Sequence, residues 1–85
     1  MNTLFLLMAK HEAPIISAEE CCREYFAPLT LPVFLRKTAA GEIDLPVVRM
    51  EQSQKGAKMV HLKDLADYID RQREAAAKEL RQMRS

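Results

Sequence analysis

Two groups of side chains in this sequence are spaced as binding to a polyanion would require. Arg36 and Lys37 stand next to each other in LPVFLRKTAAG, while Gln52, Ser53, Gln54, Lys55 and Lys58 fall in MEQSQKGAKMVHL, with Arg49 just before that run and His61 near its end. Arginine can pair with guanine edges and lysine with guanine or phosphate. A basic, polar tip can neutralise phosphates and release their counterions, and its amides can read a groove edge. Each residue also has a plainer reading. A basic pair on a helix is commonly a solvated face, a polar loop is polar because loops are exposed, and a lone histidine such as His61 is as often structural, donating to a nearby carbonyl. Placement on one surface is what would favour a duplex.

Other chemistry finds little support. Cys21, Cys22, His11 and His61 could be imagined around a metal, but their spacing matches no zinc pattern, and two adjacent thiols on a helix are far more often packing residues. No metal and no cofactor are expected. There is no glycine-rich phosphate cradle and no nucleophile with a credible base, so the residues do not describe an enzyme.

The totals set the frame for these residues. The chain has 85 residues, 48% of them apolar, which describes one small globular domain, 1–85, with no room for a second core. Its 13 basic and 12 acidic residues leave a net charge of +1, so composition alone does not announce a nucleic-acid binder. The charge is sorted along the chain instead: 49–63 holds Arg49, Lys55, Lys58 and Lys63 against Glu51 alone, whereas 12–24 holds Glu12, Glu19, Glu20 and Glu24 against Arg23. The apolar run TLFLLMA lacks a basic flank, is short for a signal-peptide core and is far too short to span a bilayer. Two neighbouring cysteines give no disulfide framework, so the chain reads as cytoplasmic.

These side chains need elements to hold them. The run 3–9 reads as a short buried strand, with a helix as the rival. Ser17 and Glu20 form a capping-box pattern that opens a helix at about 18–26, with Cys21, Cys22, Tyr25 and Phe26 inward and Pro28 ending it. Thr30 and Pro32 start a second helix, 30–41, closed by Gly41 in a left-handed conformation. On it Phe34, Leu35 and Thr38 should face inward, and Val33, Arg36, Lys37 and Ala40 outward. DLPVVRME and KMVHL can pair as a hairpin whose exposed tip is QSQKGA. From residue 62 the chain lacks glycine and proline and predicts a long helix, with a pair between Glu74 and Lys78. Leu62, Ile69, Ala76 and Met83 recur on it at sevens, and the stripe outlasts what so small a body can bury, so 63–84 is a candidate dimerisation helix.

The order strand, helix, turn, helix, Gly41-x-x-x-x-Pro46, hairpin, helix resembles the winged helix-turn-helix of phage excisionases. More specifically, MNTLFLLMA, CREYF and LRKTAAGEIDLPVVRMEQSQKGAKMVHLKDLADYIDRQR are similar to the PrtN-type pyocin activator proteins, with the likeness covering nearly the whole chain. That resemblance implies an α+β, mostly helical winged helix-turn-helix that activates transcription of bacteriocin genes from upstream DNA, in contact with RNA polymerase. Helix 30–41 would enter the major groove, and wing 50–60 would lie on the backbone or minor groove. The expected DNA-binding residues are Thr30, Val33, Arg36, Lys37, Arg49, Gln52, Ser53, Gln54, Lys55, Lys58 and His61. The expected partners are promoter double-stranded DNA and a second copy of the chain, without a membrane or a small-molecule substrate. An excisionase-like protein that bends DNA, or an adaptor that binds proteins through its C-terminal helix, are the rival readings.

Overall fold

The leucine-rich N-terminal segment is a helix, α1 (Thr3–His11), and not the strand that its length suggested. Leucine, methionine, alanine and lysine all favour helix, and Thr3 is the segment's one β-branched residue. Asn2 caps it by accepting from the Phe5 N–H at 2.7 Å. The helix then runs on through Lys10 and His11 to Glu12, which takes a left-handed conformation and donates its N–H to the Met8 carbonyl at 2.8 Å. Strand pairing falls instead to the β-branched residues after the turn, β1 (Ile15–Ser17). The computed structural model describes residues 2–84.

The Ser17 hydroxyl accepts from the Glu20 N–H at 3.0 Å and opens α2 (Ala18–Tyr25). Thr30 does the same for Val33 at 3.5 Å and opens α3 (Leu31–Ala39), with Pro32 in the first turn, where no N–H is needed. Leu29 closes the intervening turn by donating its N–H to Phe26, while its own carbonyl accepts from the Cys22 thiol. Two strands follow, β2 (Val48–Arg49) and β3 (Lys58–His61), and the chain continues directly into α4 (Leu62–Arg84), 23 residues long. The antiparallel sheet has the order β1-β3-β2, with Ile16 opposite Val60, and Arg49 opposite Lys58. The architecture is α+β and mostly helical.

The core gathers one face from every helix and the middle of the sheet. Phe34, Leu62, Leu65, Val60 and Cys21 are its largest fully buried side chains. Phe26 packs its ring between Phe34, 4.8 Å away, and Tyr68, 5.4 Å away, joining the α2–α3 turn to α4. Arg71 ties α4 to the segment after α3, donating to the Asp44 carbonyl at 2.7 Å with the Asp44 carboxylate 3.6 Å away. Past Ile69 almost every residue of α4 is exposed. There Glu74, expected to pair with Lys78, meets Arg81 at 3.2 Å. No helix among the described residues is long and apolar enough to cross a membrane.

Candidate nucleic-acid interface

The position of the basic pair on α3 follows from how the helix ends. Gly41 is in the left-handed region, with φ of 78°. Its N–H reaches Thr38 at 3.2 Å, and the Glu42 N–H reaches back to the Lys37 carbonyl at 2.9 Å, so the chain reverses over the last turn. That reversal sets the Glu42 carboxylate 3.5 Å from Lys37 and 3.9 Å from Arg36. One acid therefore sits between two cations. Arg36 is exposed beside Pro32, Ala39 and Ala40, while Lys37 and Val33 are half-buried further round the helix. Thr38 turns its hydroxyl to the Leu35 carbonyl at 3.0 Å, and the Thr30 hydroxyl is engaged in capping.

The hairpin brings two more cations against this helix. Arg49 and Lys58 are direct cross-strand neighbours, and together they line a groove whose other wall includes Leu35, Thr38 and Ala39 of α3. Among the described residues neither has a carboxylate partner, and nor has Lys55. Like charges placed opposite each other across two strands repel, which costs the hairpin roughly 0.2–1 kcal/mol until an anion offsets it. Residues 50–57 link the strands, and the Met50 N–H donates to Ala57 at 3.0 Å to carry the pairing one step further. Within this loop the Glu51 carboxylate accepts from both the hydroxyl and the N–H of Ser53, which hold it below the usual carboxylate range. The Ser53 hydroxyl accepts in turn from the Lys55 N–H at 3.2 Å. Gln52, Gln54 and Lys55 remain exposed at the tip.

Gly56 is essential to this tip, because a Cβ there would fall on the Glu51 carbonyl. Gly56→Ala is expected to force the loop open, cost about 1–3 kcal/mol, and speed amide hydrogen exchange at Met50 while leaving Val60 protected. Unchanged exchange at Met50 would show that the loop yields without cost.

The family model of pyocin activator protein PrtN matches residues 3–76. The chain belongs to that family. No curated protein and no solved structure matches it. Membership in the PrtN family implies transcriptional activation of pyocin genes, a regulatory role and not an enzymatic one.

Against this family background, the structure sorts the residues expected from sequence into three places. Arg49 and Lys58 share a groove with α3, and Gln54 and Lys58 line a second one with Leu31, Leu35 and Glu19. Arg36 and Lys37 share Glu42 at the end of α3. His61 lies apart: strand alternation places it on the opposite sheet face from Lys58, and its Nδ1 accepts from the Lys63 N–H at 3.0 Å, capping α4. Sequence reasoning missed Glu42, although Gly41 at a helix end already implies that the next residue folds back over the preceding turn.

His11 forms a polar cluster with α2. Its Nδ1 is 2.9 Å from the Glu20 carboxylate and its Nε2 is 2.8 Å from the Tyr25 hydroxyl, with a Glu24 oxygen 3.9 Å from Nε2. Lys10 pairs with Glu24 at 3.2 Å. A ligand set of His11, Glu20 and Glu24 is thus in reach of one ion, but both ring nitrogens already have protein partners. Cys21 and Cys22 are buried on the same helix, and burial pushes the Cys21 thiol up to about 12, which keeps it protonated and unreactive.

Proposed function

We propose that this chain is a sequence-specific DNA-binding activator of pyocin-like bacteriocin genes that works in the bacterial cytoplasm as a homodimer on promoter DNA. In this reading 1–85 is one winged helix-turn-helix domain. Helix α3 enters the major groove with Arg36 outermost, the hairpin is the wing on the backbone or minor groove, and bound dimers contact RNA polymerase. Neither a small-molecule substrate nor a cofactor is required. The observation that carries the proposal is the unneutralised pair Arg49 and Lys58, facing each other in a groove shared with α3. Two like charges held together at a cost to the fold are understandable if phosphate oxygens settle between them. In this reading His61, whose Nδ1 caps α4, stays at the base of that helix, and Arg49, Lys55 and Lys58 make the wing contacts.

Titration of duplex DNA between about 50 and 200 mM salt tests the proposal. Five cations (Arg36, Lys37, Arg49, Lys55 and Lys58) predict a slope of log affinity against log salt near −4.5 per copy. A slope near zero would remove DNA from the reading. Footprinting on genomic fragments then identifies the operator, which should lie upstream of bacteriocin genes.

Glu42 supplies a separate expectation. In the free protein it screens Arg36 and Lys37, so non-specific phosphate must displace a carboxylate before either cation is available. Glu42→Gln is expected to raise affinity for random duplex by roughly 2- to 5-fold and to narrow the gap between specific and random sites. Equal binding by both proteins would show that this acid does not guard the helix.

A further inference from the structure

We propose that the outer face of α1 is one half of the interface between two copies of this chain, and that the free end of α4 from the other copy covers it. The inference rests on the homodimer in the reading above and adds the surfaces through which it forms. From Leu4 to Ala9 the helix has no polar side chain on any face. A helix apolar all round is one built to be covered on all sides. Within the chain only one side is: Leu7 is buried and Leu4 packs on the core, whereas Phe5, Leu6 and Met8 are 59%, 52% and 44% exposed.

The same chain carries the complementary deficit. Leu80 and Met83, near the end of α4, are 48% and 77% exposed and have no core beneath them. They continue the stripe of Leu62 and Ile69 that packs the first half of the helix. The two surfaces adjoin. The Thr3 hydroxyl donates to Asp70 at 2.6 Å, and the Leu62 N–H reaches Pro14 at 2.9 Å, so α1 runs antiparallel to α4 and begins where α4 leaves the body. Residues 71–84 project roughly 20 Å, and α1 is about 14 Å long, so one tail can lie along the whole of the other copy's helix.

A two-fold exchange satisfies both surfaces in both copies at once, and an isologous contact of this kind closes on itself. The five large side chains offer roughly 500 Å² of apolar surface per copy. With the alkyl stems of Arg73 and Arg84 alongside, this approaches the ~800 Å² per partner of a stable interface. A partner of another kind would have to supply its own apolar tail, whereas a second copy already has one.

Sedimentation of the 85-residue chain and of its Phe5→Glu and Met83→Glu variants tests the exchange, with circular dichroism confirming the helices. The wild type should sediment as a dimer at tens of micromolar, and each single substitution should raise the dissociation constant by roughly 30-fold or more. Mixing Phe5→Cys with Met83→Cys under mild oxidation should give a disulfide-linked heterodimer, because only the exchange brings those positions together. A dimer that survives Phe5→Glu, with no mixed disulfide, would overturn the inference while leaving a homodimer intact. A monomeric wild type that still binds duplex with the expected salt slope would overturn both the inference and the dimer, but not the DNA reading.

Discussion

Phe34→Ala is expected to lower the melting temperature by roughly 15–30 °C, the largest effect of any single substitution in this chain. Phe34 is fully buried, packs at a tilt against Phe26, and is the one fully buried residue of α3. Truncating a buried phenylalanine costs about 3–5 kcal/mol, from lost transfer energy and the cavity left behind. For a chain of this size that is much of its stability, which runs near 0.05–0.15 kcal/mol per residue, and each kcal/mol moves the midpoint by roughly 4–8 °C. Thermal unfolding followed by circular dichroism measures it. A shift under about 5 °C would mean that the turn and caps hold α3 without its anchor.

Arg49→Ala combined with Lys58→Ala should separate binding from folding in opposite directions. Removing two phosphate contacts flattens the salt slope by about 1.8 and weakens duplex binding roughly 30-fold near 0.15 M salt. Removing two facing like charges relieves the strand pair, so stability should hold or rise by up to about 1 kcal/mol. Salt titration and thermal unfolding of the same sample check both halves. Unchanged affinity and slope would take the hairpin out of the interface. Lost affinity with an equal loss of stability would mean that the two residues serve only the fold.

Much of the architecture could be read directly from local chemistry. Ser17, Thr30, Pro32 and Gly41 act at helix ends through their own backbone and side-chain geometry, so their neighbourhoods could be placed without knowing the rest. The long C-terminal helix was equally legible, since nothing in it interrupts a helix. The N-terminal segment was not. A seven-residue apolar run has the composition of a buried strand and of a buried helix alike, and the cap at Asn2 was the deciding local signal. The third strand, Ile15–Ser17, depends on Ile16 meeting Val60 across the sheet, a contact 44 residues distant that no local pattern encodes. In the candidate interface the basic residues were visible as types, but their grouping was not. Whether Arg49 faces Lys58 is a matter of register, and whether Arg36 is screened depends on a chain reversal that returns Glu42.

The contact of Arg71 with Asp44 joins the long helix to the segment that follows α3. Asp44 lies two residues beyond Glu42, just past the reversal that closes α3, and Arg71 stands where α4 departs from the body. Both side chains are largely exposed, so this is a light tie that fixes where the segment after α3 meets the root of the long helix.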